Sequence, residues 1–253
     1  MKKLIAIVLT LTLCLSLCSC SLFDKVTAAS LYAKAVETLA ETKNYEADCN
    51  VTMSMDLMGM NMDIGVDMNL KVADKDMQIS MSILGQDVVM TMLGNIMYMD
   101  VMGGGMKYTV QDTEKAEEEI MSDTMAKALP EISSEVLDAT ELVENEEDGT
   151  KELTVSLTSE QSAELLGMAN AMYENMSFED IKLTVRFDAE NELTGFSVIG
   201  TYKATEEDIT LAGDVSATYT FVNLGEVPEI TLPLAEEDYV DGGIYEENAG
   251  GIM

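Results

Sequence analysis

The chain reads as an α+β domain built on a strongly curved antiparallel sheet of about eleven strands, covered by about three helices. Three observations carry this reading. Residues 45–110 alternate apolar and polar side chains with a period of two, and three further segments with the same period follow after residue 180. Three stretches, near 28–42, 112–129 and 158–173, switch to the 3.6-residue helical period. No Pro falls inside any period-two segment, and turn residues punctuate them.

The first helix places Leu31, Ala35, Val36 and Leu39 on one side, with Thr27 or Ser30 available as cap. Asn44-Tyr45 ends it. Val51, Met53, Met55 and Leu57 then occupy odd positions, whereas Met60, Met62, Ile64, Val66, Met68, Leu70 and Val72 occupy even ones. A change of phase at Met58-Gly59 is what a hairpin turn or a bulge produces. Asp74-Lys75 and Gly85-Gln86-Asp87 mark the next reversals. Strands at 77–83, 88–93, 96–102 and 107–110 complete a six-stranded meander with one apolar face.

Residues 112–129 place Ala116, Ile120, Met125 and Ala128 together, and Pro130 stops that helix. Asp148-Gly149 sits between strand segments at 139–144 and 151–157, as a hairpin turn. Thr158-Ser159-Glu160-Gln161 has the spacing of a capping box and opens a helix to about Tyr173. Three strands close the domain, carrying Ile181 to Phe187, Phe196 to Tyr202, and Ile209 to Phe221. Residues 235–253 are acidic and Gly-rich and are expected to be disordered.

The N-terminus follows the secretory plan: Met1-Lys2-Lys3, then an uncharged apolar run from Leu4 to Leu17. At 14 residues the run falls short of the roughly 20 needed to span a bilayer. It ends in Leu17-Cys18-Ser19-Cys20, with an apolar residue at −3, a small one at −1 and Cys at +1. This resembles the lipobox of bacterial lipoproteins, in which the Cys thiol is acylated and the chain is cut just before it. Cys14 and Cys18 each follow a Leu, so Cys20 is the expected lipidation site. The expected organisation is a signal peptide over 1–19, a tether over 20–27, one domain over 28–234 and the tail. The expected location is the extracytoplasmic face of the cell membrane, held by the N-terminal lipid. The alternatives are a plain signal peptide or an uncut hydrophobic anchor.

Composition excludes several functions. A formal charge of −33 excludes nucleic acid, where Lys and Arg must meet phosphate. Acylation at Cys20 leaves Cys49 alone in the mature chain, so no internal disulfide forms, and burial as a small apolar residue in a strand is its expected role. There is no His, so neither a Ser-His-Asp nor a Cys-His arrangement is available, nor an ordinary zinc site. No run matches an EF-hand loop. The acidic runs 146–148, 206–208 and 236–238 fall in expected turns or the tail and read as solvated loops rather than as an acid–base pair. The expectation is therefore no enzyme, no cofactor and no metal.

Methionine stands out: 21 in all, 14 of them between Met53 and Met106. Three roles compete. Met fills irregular cores; it forms deformable walls for apolar ligands; and its thioether binds Cu(I) or Ag(I). Met53-Ser54-Met55 and Met58-Gly59-Met60-Asn61-Met62 have suitable spacing for the last, but strand alternation already produces every such pair.

The order of helix, six strands, helix, two strands, helix and three strands resembles the LolA/LppX-type carrier lipoproteins and related Gram-positive lipoproteins. The resemblance rests on the helix of residues 31–39, on Ile96-Met97-Tyr98-Met99-Asp100 leading to Met106-Lys107-Tyr108, and on the closing stretch from Asn223 to Pro233. It implies an incomplete β-barrel whose open side is covered by helices, with an apolar cavity that takes up acyl chains. On that reading the partners are the membrane and an apolar, lipid-like ligand. Candidate cavity residues are Met60, Met62, Ile64, Met68, Met77, Met81, Met97 and Met99. The departure from the family is the replacement of branched and aromatic lining residues by Met. The alternative is a surface-displayed interaction domain with a filled Met-rich core and no ligand.

Overall fold

The computed structural model describes residues 26–57, 60–83, 85–110, 128–159, 161–162, 176–206 and 209–245. Within them the backbone forms one twelve-stranded sheet that does not close. Helix α1 (Ala28–Glu41) leads into β1 (Asn44–Leu57), β2 (Met60–Ala73), β3 (Asp76–Ile83), β4 (Gln86–Leu93), β5 (Ile96–Val101) and β6 (Gly104–Val110). Helix α2 (Ser134–Ala139), β7 (Leu142–Glu144), β8 (Lys151–Ser156), β9 (Met176–Phe187), β10 (Leu193–Glu206), β11 (Ile209–Leu224) and β12 (Val240–Tyr245) follow. The spatial order is β12-β6-β5-β4-β3-β2-β1-β11-β10-β9-β8-β7, antiparallel throughout except for β12 on β6.

The meander is the one the alternation predicts. Leu57 pairs with Met60, so the change of phase falls between two antiparallel strands; Met58-Gly59 themselves lie outside the described residues. Asp74 at φ 56°, Gly94 at φ 57° and Gly103 at φ 79° lie in the left-handed region that their residue types tolerate, and Met102 at φ 54° is an exception. Because β1 joins β11 along nine register pairs, the N-terminal meander and the C-terminal strands form one continuous sheet.

Thr27 caps α1 reciprocally with Ser30, each side chain accepting from the other's backbone N–H. The helix buries Leu31, Tyr32, Ala35 and Leu39 against Tyr45, Val72, Phe187, Val198 and their neighbours. On β8 and β9 the pattern is strict: Leu153, Val155, Ile181, Leu183, Val185 and Phe187 are buried while the residues between them face outward. Lys151 shares this buried row because its ammonium donates to the carbonyls of Gly149 and Ala189.

Two expectations need correction. The described residues hold two complete α-helices and the first turn of a third, and the second complete one is not among those expected. Ser133 caps α2 through the Val136 N–H, and the segment 139–144 read as a strand is helical up to Ala139 and extended only from Leu142. Residues 112–127 lie outside the described residues. The helix at 158–173 is described only at its start. Thr158 Oγ1 accepts from the Gln161 N–H at 3.3 Å and Gln161 Oε1 accepts from the Thr158 N–H at 2.9 Å, which is the expected capping box.

The second correction concerns 235–253. Residues 236–245 are ordered as a 3-10 turn, Glu236–Asp238, followed by β12. The preceding chain crosses the outer face of the meander as a strap. Lys71 Nζ donates to Glu229 O at 3.3 Å, Gln78 Nε2 donates to Thr231 O at 2.6 Å, and Tyr98 OH donates to Glu236 Oε1 at 3.4 Å. Tyr239 then packs edge-on against Tyr98, ring centroids 5.0 Å apart. The twelfth strand escapes a sequence reading because its interior is Asp241-Gly242-Gly243 and its partner strand is distant, Val240 pairing with Met106 and Tyr245 with Val110. Residues 246–253 lie outside the described residues.

Candidate functional site

The cross-strand ladder determines which face of the meander looks inward. Tyr45 pairs with Val72, Val72 with Met77, Met77 with Met92 and Met92 with Met97. All five are buried, and the first four belong to the core beneath α1. Since side chains alternate, every second residue from these positions shares the inner face. Met62 stands opposite Met55, Ile64 opposite Met53, Met68 opposite Cys49 and Met81, and Met99 opposite Met90 and Met106. Met60 holds the register position opposite Leu57. The register thus puts seven of the eight candidate positions, Met62, Ile64, Met68, Met77, Met81, Met97 and Met99, on the inner face; the side chain of Met60 lies outside the described residues.

Their burial is graded along the strands. On β2, Val72 is 3% exposed, Leu70, Met68 and Val66 are half-buried, and Ile64 and Met62 reach 36% and 46%. The same gradient runs from buried Met77 to half-buried Met81 on β3, from Met92 to Met90 and Val88 on β4, and from Met97 through Met99 to exposed Val101 on β5. One end of the apolar face, where α1 passes into β1, is filled. The other end, toward the hairpins β1–β2, β3–β4 and β5–β6, opens to solvent. Sequence reasoning named these positions only as candidates and missed this division, because burial along one strand depends on what covers it, and the cover comes from distant segments.

Beside this face, Cys49 is buried between Met68 and Tyr219, as expected for a small apolar side chain. Burial pushes its thiol pKa up, and a side-chain hydrogen bond with Tyr219 offsets part of that. A thiol held protonated is neither a nucleophile nor a metal ligand. Among the described residues no group of three or more Asp, Glu or Cys side chains is arranged to hold a metal ion.

The outer face is chemically different. A groove of about 540 Å³ crosses β11, β1, β2, β3 and β4 between two polar rows. Asn50 Nδ2 donates to Asp67 Oδ1 at 2.6 Å and Asn69 Nδ2 donates to Asp48 Oδ1 at 2.8 Å across it. Of the eight candidate positions only Met68 and Met81 border this groove, so it is separate from the graded apolar face.

Among the described residues no helix is long and apolar enough to cross a membrane. No family model matches the chain, and no curated protein sequence is similar to it at a significant level. Several solved structures match it at low identity. The chain is similar to the lipoprotein LppX of Mycobacterium tuberculosis at 10% identity and a TM-score of 0.41, over 80% of this chain and 99% of that one. It is similar to LprF of Mycobacterium bovis at 8% identity and a TM-score of 0.40, over 82% and 97%. A LolA superfamily protein from Nitrosomonas europaea matches at 11% identity and a TM-score of 0.24, over 81% and 96%.

Proposed function

We propose that this chain is a non-enzymatic lipoprotein, anchored through Cys20 on the extracytoplasmic face of the membrane, that binds an apolar, lipid-like ligand on the open half of its inner sheet face. The observation that supports this reading is the gradient from Val72 to Met62: one continuous apolar surface, filled at one end and open at the other. A guest that displaces water from the open end gains about 25 cal/mol per Å² of apolar area buried. Unbranched Met side chains can withdraw for such a guest or collapse without it. No acid–base pair, cofactor or metal is needed for this role, and we expect no tight Cu(I) capture by the thioethers. The test is mass spectrometry of lipids extracted from the purified Cys20→Ser chain, together with saturable binding of a fluorescent fatty acid. A folded chain that carries no lipid and binds none would be a filled-core display domain instead.

A further inference from the structure

The register places the hairpin reversals β1–β2, β3–β4 and β5–β6 at one end of the sheet, beside the open end of the inner face. Their sequences share a pattern. The two residues between Leu57 and Met60 are Met58-Gly59, those between Ile83 and Gln86 are Leu84-Gly85, and those between Val101 and Gly104 are Met102-Gly103. At the opposite end the turns are polar, Asp74-Lys75 and Gly94-Asn95. In the sequence an apolar residue followed by Gly thus recurs at every second strand connection, and Met102-Gly103 is the pair described in full.

Met102 shows that this is not incidental turn chemistry. It is 74% exposed, the highest among the exposed large apolar residues described. Its φ is +54°, and Gly103 follows at +79°. Two successive positive φ values form the hairpin turn that strongly favours Asn-Gly or Asp-Gly. The other non-glycine residues with positive φ are Asp74, Asp180 and Asn191, the types that tolerate this region. Met102 gains nothing from the turn and nothing from burial. A residue that violates both local rules marks a surface selected for something else. Val101, Met106, Met62 and Ile64, at 36–46% exposed, continue the apolar rim onto the inner face.

We infer that this rim docks on a lipid bilayer, with Met102 inserted into the apolar boundary of the headgroup layer. An apolar fingertip such as Met102, standing on a hairpin and 74% exposed, suits a fluid apolar layer, which closes around it, better than a rigid partner surface. Given the anchoring at Cys20, the bilayer is also the apolar surface at hand: the six steps from Cys20 to Val26 span at most about 20 Å. With a chain charge of −33, docking is favoured on bilayers of low net charge and weakened by anionic lipid.

The chain has no Trp, so one substitution supplies a unique probe. Mature chain carrying Cys20→Ser, with Met102→Trp or with Asn95→Trp at the opposite end, is mixed with phosphatidylcholine vesicles containing brominated acyl chains. The probe at 102 should shift to shorter wavelength and be quenched in the protein that floats with the vesicles, and the probe at 95 should not respond. Added phosphatidylglycerol should reduce the response. Met102→Asn, which the turn prefers, should keep or raise thermal stability and lower vesicle partitioning about tenfold, the loss of a buried Met side chain. An unresponsive probe at 102, or equal responses at 95 and 102, overturns the inference. So does quenching confined to vesicle-free protein, which means lipid uptake without docking, or self-association abolished by Met102→Asn without vesicle binding, which assigns the rim to a second copy. Fatty-acid binding measured without vesicles tests the ligand reading separately.

Discussion

The ring of Tyr239 lies against the backbone of Gly105, so that a Cβ on that glycine would stand 2.7 Å from Tyr239 Cδ1 and 2.9 Å from Leu234 Cδ1. The strap depends on this close approach. Gly105→Ala should push Tyr239 off β6 and destabilise the fold by about 1–3 kcal/mol. Hydrogen exchange should accelerate in residues 236–245 before it does in β8 and β9. Uniform exchange in the variant would mean that the strap is not a separate unit of stability.

Charge placed at the two ends of the inner face should have opposite consequences. Met62 is half-exposed, so Met62→Glu should leave the circular dichroism and melting temperature nearly unchanged while weakening fatty-acid binding tenfold or more. Met77 is 3% exposed, and Met77→Glu should cost about 3 kcal/mol or more by burying an unpaired carboxylate. If Met62→Glu binds the probe as well as the parent does, the open end is not the binding surface.

Eleven of the twelve strands were legible because a period of two, broken at Asp74-Lys75, Gly94-Asn95 and similar pairs, leaves few alternatives. The inward face was not legible on β2, where Asn61, Asp63, Asp67, Asn69 and Lys71 make one side polar but do not show whether the apolar side is covered. Only the pairing of Val72 with Tyr45 and Met77 answers that. The burial of Cys49 followed from its place in a strand. The helix of residues 134–139 escaped because its six residues, Ser-Glu-Val-Leu-Asp-Ala, are too few to show a helical period.

Alkaline pH should unfold the protein through its tyrosines. Burial pushes the Tyr45 phenol up to about 12, and burial raises Tyr32 and Tyr219 as well. Below the usual phenol value of 10.0, folded and unfolded chains both keep these protons, and stability does not depend on them. As pH rises from there toward about 12, only the unfolded chain releases them, so stability falls. Phenolate absorbance near 295 nm, a wavelength chosen as about the usual phenolate band, should rise for these residues together with loss of the sheet signal. Full titration near pH 10 with the sheet intact would contradict their burial.

Cys20→Ala should abolish incorporation of a labelled fatty acid and release or strand the protein. Label retained by the variant would move the acceptor to Cys18 or Cys14 and shift the start of the mature chain.

The sheet ends on two small strands, β7 with three residues and β12 with six, the latter interrupted by Gly242-Gly243 and a register shift. A long meander of Met-x-Met segments is apolar, β-prone and unbranched, and an open edge on it would template the addition of further chains. By laying β12 along β6, the strap occupies that edge with a partner too short and irregular to be copied. The same segment that covers part of the outer face therefore protects this edge against growth into fibrils, and its removal should appear first as aggregation rather than as lost binding.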